Sequence, residues 1–271
     1  MSREREAPAA VAPAGAVAAG RVGVRRFRVR VGPWSVHARE SLGGETGDYP
    51  PVVLVHGVVV SGHYMLPTIR VLGRYRHVYA PDLPGFGRSE GPGKPLDISG
   101  LALSLAGWMR AAGIEKADVV AHSFGCQIAA EFAVRNPERV GRLALLGPTG
   151  NPENRSEIAQ IGRWALDCFR EPLSVWVSYV CGFLSFGPRR SIGSLTYSLG
   201  DVMEQRLAAL EVPTLVVRGS LDPLAKQGWV ERMVDLLPDG RLAVIPDAPH
   251  NVNYKTPRQL VEVLLPFLDG E

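Results

Sequence analysis

Asp118-Val119-Val120-Ala121-His122-Ser123-Phe124-Gly125-Cys126 is the stretch whose reading decides the fold. The run up to Ala121 is apolar and β-branched, as a strand buried on both faces should be, while Cys126 to Arg135 repeats apolar residues at helical spacing. Ser123 falls at the joint. A strand that becomes a helix within one or two residues crowds its own backbone, so the positions two before and two after the joint must be small. Ala121 and Gly125 are small. Such a turn lifts the serine oxygen clear of the sheet and sets the first free N–H groups of a helix beside it, where an oxyanion can be held. Serine is also a favoured helix N-cap, so the pentapeptide alone does not separate a nucleophile from a cap.

Context upstream adds to it. Pro51-Val52-Val53-Leu54-Val55 is a continuous apolar strand that stops at His56-Gly57-Val58-Val59. A strand ending at a His-Gly pair leaves the next backbone N–H free to point into a site, and in acyl-transfer enzymes this N–H and the one after the nucleophile form the oxyanion hole. The candidate donors here are Val58 and Phe124. His56 is read as bracing this loop rather than titrating, and His56, Gly57 and His122 are expected around a pocket. The next strand, Val78-Tyr79-Ala80, enters Pro81-Asp82-Leu83-Pro84-Gly85-Phe86-Gly87-Arg88-Ser89, which so much Pro and Gly forces into a tight loop. Asp82 is expected to accept internal hydrogen bonds that hold these turns. An amphipathic helix is predicted from about Asp97 to Ala112.

Val55-His56-Gly57, Pro81 to Ser89 and Ala121-His122-Ser123-Phe124-Gly125, in that order, resemble the α/β-hydrolase fold family in its capped, single-domain branch. The resemblance runs from about Pro51 to Phe267, with one departure: Ala121 stands where the family usually has Gly, adding a methyl group at a crowded turn. It implies an α/β fold with a mostly parallel central sheet, helices on both faces and a helical cap inserted after the sixth strand. The corresponding division is a disordered tail over 1–20, a core over 21–150 and 211–271, and a cap over 151–210. Trp164, Trp176 and Tyr179 of the cap are expected to face an apolar substrate.

The stretch Val212 to Pro223 resumes the sheet with Asp222 a few residues beyond the strand's end, and His250 sits in the loop Pro246-Asp247-Ala248-Pro249-His250-Asn251. Ser123, Asp222, His250 is the order of the family's triad. No Asp follows the strand Leu143 to Leu146, and Glu153 is the nearest carboxylate there, an alternative acid. The resemblance implies a cofactor-free, metal-free serine hydrolase that acts on a carboxylic ester, thioester or lactone through an acyl-enzyme on Ser123. Relatives with the same triad also cleave carbon–carbon bonds of activated ketones or transfer acyl groups, and a binding protein on the same fold is a reading from another class.

Composition sets the remaining bounds. With 271 residues, 46% hydrophobic and 21% charged, the chain suits one α/β domain with an insertion. A net charge of +3 singles out no partner. Arg21, Arg25, Arg26, Arg28 and Arg30 alternate with Val24, Phe27, Val29 and Val31, the pattern of an edge strand's solvent face rather than of a nucleic-acid patch. Cys126, Cys168 and Cys181 have no metal-like spacing and suggest reduced thiols in a cytoplasm. Residues 1–20 read as a poor secretory signal, and no apolar run is long enough to span a membrane. The expected partner is an apolar small molecule, with no nucleic acid and no membrane.

Overall fold

The computed structural model describes residues 22–43, 48–151 and 173–271; in 173–186 the side chains of residues 173–176, 178, 181 and 185 are not described. The expected tail over 1–20, together with Glu153 and Trp164, lies outside the described residues, and so does the side chain of Trp176.

The strands are β1 (Gly23–Val31), β2 (Trp34–Leu42), β3 (Val52–Val55), β4 (Val78–Pro81), β5 (Ala117–His122), β6 (Val140–Leu146), β7 (Thr214–Gly219) and β8 (Gly240–Ile245). They form one sheet in the order β1-β2-β4-β3-β5-β6-β7-β8. The first two join antiparallel, and every pairing from β4 to β8 is parallel. Because β3 lies between β4 and β5, the chain reverses its direction of travel across the sheet there, the position at which open α/β sheets present a crevice at their carboxyl ends.

Register brings those ends together. Val55 pairs with Ala121, His122 with Leu146, Leu146 with Val217, and Gly219 with Ile245. The loops that open at His56, Ser123, Gly147 and Ser220 therefore start from one edge.

The central strands β3, β5, β6 and β7 are mostly apolar because both faces are covered. Val53, Val55, Val119, Ala121, Leu143, Leu145 and Val216 point into one core, while Val52, Leu54, Val120, Ala144, Leu146, Leu215 and Val217 point into the other. The first core lies under α2 (Ile98–Ala111) and α3 (Phe124–Arg135), the second under α1 (Leu66–Leu72) and the C-terminal helix Pro257–Asp269. Asp97 caps α2, accepting from the Gly100 N–H at 2.7 Å.

β1 is an edge strand. Arg25, Arg28 and Arg30 are exposed, while Phe27, Val29 and Val31 pack on the core. Arg25 pairs with Glu40, and Arg28 donates to the Arg88 carbonyl at 2.8 Å, so the arginines are occupied within the sheet and its neighbouring loop.

Between β6 and β7 lie α4 (Leu173–Phe186), α5 (Pro188–Gly200) and the short α6 (Met203–Leu207). The last belongs with the layer below: Met203, Leu207 and the following Leu210 are buried in the first core. Glu131 of α3 ties it down, binding Arg206 at 2.5 Å and Arg135 at 2.6 Å. After β7 come α7 (Gln227–Leu236), then β8, α8 (Val252–Lys255) and α9 (Pro257–Asp269).

Candidate active site

Ser123 stands between β5 and α3 at φ 55° and ψ −123°, a left-handed backbone that non-glycine residues seldom adopt. Its N–H donates to the Leu146 carbonyl at 2.9 Å, which holds the turn against β6. The small residues have the expected cause. A β-carbon on Gly125 would lie 2.7 Å from the carbonyl oxygens of both Val55 and His56, and one on Gly57 would lie 3.2 Å from Cβ of Ser123. Ala121, the departure from the family pattern, is fully buried, and its carbonyl accepts from the Cys126 thiol at 3.2 Å. Burial pushes that thiol's pKa up, so Cys126 is a packing residue.

Nδ1 of His250 donates to Oδ2 of Asp222 at 2.8 Å, with both groups buried. The other carboxylate oxygen accepts the N–H groups of Leu224 at 2.7 Å and Ala225 at 3.0 Å. Burial by itself would raise this carboxyl, but His250 and these two N–H groups outweigh burial and hold it below the usual carboxylate range. Arg218 braces the turn from behind through the Asp222 carbonyl at 3.1 Å. Gly147 leaves room for the pair: a β-carbon there would stand 2.9 Å from Nδ1 of His250 and 3.2 Å from Oδ2 of Asp222.

Ser123 and His250 line one cavity of about 470 Å³ together with Gly57, Val58, His122, Phe124 and Tyr179. Phe124 is the first residue of α3, where a helix has no internal acceptor for its N–H. Val58 precedes Val59, a β-branched residue at φ 59°.

His56, expected at the pocket, does not line the cavity. It is fully buried, with Nδ1 donating to the Gly57 carbonyl at 2.8 Å and Nε2 accepting the Leu83 N–H at 3.1 Å. Burial lowers its pKa, and the ring ties the Gly57 loop to the Pro81–Ser89 loop in its neutral form. Asp82 organises that second loop from a fully buried position. It accepts from Arg39 at 2.6 Å, the Gly62 N–H at 2.8 Å, His37 at 3.0 Å and the Arg88 N–H at 3.0 Å. Burial opposes its ionisation, yet His37, Arg39 and Arg88 hold it far below the usual range.

His122 does line the cavity, but as a neutral ring. Its pKa is pushed down to about 3, first by burial and then by His250. Nε2 donates to the His250 carbonyl at 3.2 Å, and the two rings stand 4.8 Å apart.

Several cavity residues carried no signal in the sequence. Tyr64 stacks on Tyr254 with centroids 5.3 Å apart. Asn251, fully buried beside His250, donates to the Tyr179 hydroxyl at 2.9 Å and accepts from it at 3.2 Å. The rest of the wall is mainly apolar: Val180, Phe183 and Leu184 of α4, Ile192, Leu195 and Leu199 of α5, and Leu224. Among the described residues, no Asp, Glu, Lys or Arg lines it.

A doubly covered, mostly parallel sheet with a serine at a strained strand–helix turn and a bonded Asp–His pair on later loops defines the α/β-hydrolase class. The chain belongs to the alpha/beta hydrolase family, whose model matches residues 52–263. It is 37% identical over 110 residues to 2-hydroxy-6-oxo-2,4-heptadienoate hydrolase of Pseudomonas putida, covering 39% of this chain and 40% of that protein. A longer match, 28% identical over 246 residues, is to the dihydrolipoyllysine-residue acetyltransferase component of the acetoin cleaving system of Pseudomonas putida. That match covers 84% of this chain and 65% of the relative. The chain thus spans less than two thirds of the length of the curated relatives it matches. A solved thermophilic esterase from Thermogutta terrifontis superposes with a TM-score of 0.74 at 24% identity, over 90% of this chain and 98% of that one, a likeness of fold.

Proposed function

We propose that the protein is a serine hydrolase of carboxylic esters, thioesters or lactones with an uncharged, apolar acyl group. The observation that carries the reading is the 2.8 Å His250–Asp222 hydrogen bond behind a cavity that His250 shares with Ser123. In this mechanism His250 takes the Ser123 proton as the hydroxyl oxygen attacks the substrate carbonyl. Asp222 keeps the proton of His250 on Nδ1, leaving Nε2 as the base, and stabilises the imidazolium that forms. The backbone N–H groups of Val58 and Phe124 receive the oxyanion. Collapse of the tetrahedral intermediate breaks the bond to the leaving group, which takes the proton from His250. Water then attacks the acyl-enzyme by the same route and frees Ser123. The low pKa of His122 keeps that neighbouring ring from competing for the proton.

Helices α4 and α5 act as the cap over this chemistry in the same reading, with Tyr179 facing the substrate. Uncharged acyl groups are favoured because the described wall offers no cation to meet a carboxylate.

Intact-protein mass after treatment with a fluorophosphonate, beside a p-nitrophenyl ester series, tests the reading. One phosphonyl adduct is expected, absent from Ser123→Ala, and the same substitution should abolish ester turnover while the circular dichroism spectrum is kept. Turnover retained in Ser123→Ala would overturn it.

A further inference from the structure

The mouth of the cavity is built from side chains that line it while facing water. Val180, Phe183 and Leu184 of α4 and Ile192 of α5 belong to the wall, yet they are 53%, 43%, 75% and 63% exposed. Val177, also exposed, extends the row: Val177, Val180 and Leu184 recur at the spacing of one helical face. Other large exposed apolar residues, such as Leu42, Leu103 and Val244, sit on separate elements. Single residues of that kind are ordinary, whereas a contiguous patch on the rim of an apolar cavity marks an interaction surface.

Charge indicates the partner. From Leu173 to Gly200 the chain has no Asp or Glu, and its only charges are Arg189 and Arg190. Both stand in the first turn of α5, where cations oppose the helix dipole, so the helix gains nothing from them there. Arg189 is exposed, and so is Lys94, whose neighbour Pro95 packs against Gly193 of α5. An apolar face without acids and with a basic border matches the boundary of an anionic phospholipid layer, where apolar side chains enter and cations meet phosphates. A second copy of the chain would bring the same arginines to α4 and α5 helices that carry no carboxylate to receive them.

We propose that the α4–α5 rim docks on an anionic phospholipid surface, so that the cavity of Ser123 opens toward the lipid. Among the described residues no helix is long and apolar enough to cross a membrane, and none is needed. The sequence-based expectation of no membrane partner rests on the length of apolar runs, a criterion for spanning segments that does not address a short helix lying on a surface.

The test uses full-length Ser123→Ala protein, which leaves the lipids intact and makes the outcome independent of the hydrolase reading. Co-sedimentation is measured with phosphatidylcholine vesicles and with vesicles that also carry phosphatidylglycerol. Binding to the anionic vesicles is expected, weakened at least about tenfold by Leu184→Glu with Ile192→Glu and about fivefold by Arg189→Gln. Leu103→Glu, on α2, should leave it unchanged, and melting temperatures confirm that each variant is folded. Failure to bind the anionic vesicles would overturn the proposal. So would binding that survives the paired rim substitution, an equal loss in Leu103→Glu, or a dimer in ultracentrifugation that occupies the rim in place of lipid.

Discussion

Replacing Asp118 by Asn should stabilise the protein, and by an amount that depends on pH. Asp118 lies on β5 at the end of the strand opposite Ser123, buried, with Val52 beside it in register. Burial raises its pKa from the ordinary 3.8 to about 6, against the opposing pull of the Arg142 N–H and of the charges on Arg142, Arg76 and Lys116. Between these two values the folded chain holds a proton that the unfolded chain has released. Stability therefore falls as pH climbs through that window and levels off above it. At about 1.4 kcal/mol per unit the loss is roughly 3 kcal/mol. Asn keeps the shape and an oxygen acceptor while removing the charge, so Asp118→Asn should gain about 1–3 kcal/mol near pH 8 and almost nothing near pH 4. Urea unfolding of both proteins at the two pH values reads this directly. Ester hydrolysis should be unaffected, since the substitution is remote from the cavity. A variant less stable than the parent near pH 8 would refute the reasoning, showing that the attraction of Arg142 and Arg76 outweighs the cost of burial.

Three further outcomes follow from the site. Asp222→Asn should lower kcat by about 10³–10⁴, with little change in melting temperature, because the imidazole loses its orienting carboxylate; near-normal rates would return attention to Glu153. Gly125→Ala would force a β-carbon to 2.7 Å from two carbonyl oxygens, so it should cost at least about tenfold in kcat/KM, together with some stability, measured by kinetics and thermal melts. In the parent protein kcat/KM should fall as pH is lowered from about 8 to 5, since a protonated His250 accepts no proton, and a flat profile would remove His250 as the base.

The parts legible in the sequence are those whose cause is local. The strand–serine–helix turn announces itself because crowding demands small residues at fixed offsets, and the Pro81–Ser89 loop because Pro and Gly leave the backbone few other conformations. The edge-strand alternation of β1 is equally local. His56 is different: its neighbours favoured a place at the pocket, but the direction of its ring is decided by the Leu83 N–H, which is remote in sequence. Tyr64 reaches the cavity only through packing between distant segments and belongs to no motif, and Asn251, although next to His250, is fixed there by Tyr179, which is remote in sequence. The exposed face of α4 was illegible for a related reason. An uncharged run of Val, Tyr, Leu and Phe reads the same whether it is covered or open, and only the packed structure distinguishes the two.

Asp82 has a consequence for where the chain must begin. Two of its four partners, His37 and Arg39, come from β2, whereas the other two are the N–H groups of Gly62, just after the Gly57 turn, and of Arg88 in the Pro81–Ser89 loop. The N-terminal hairpin is therefore a splint for the site rather than a detachable flap. A chain started after Leu42 would lose the Arg39 and His37 bonds that offset the burial of the Asp82 carboxylate, so its hold on the two loops would weaken. Shortening the protein from its N-terminus should be felt at Ser123 long before the parallel sheet gives way.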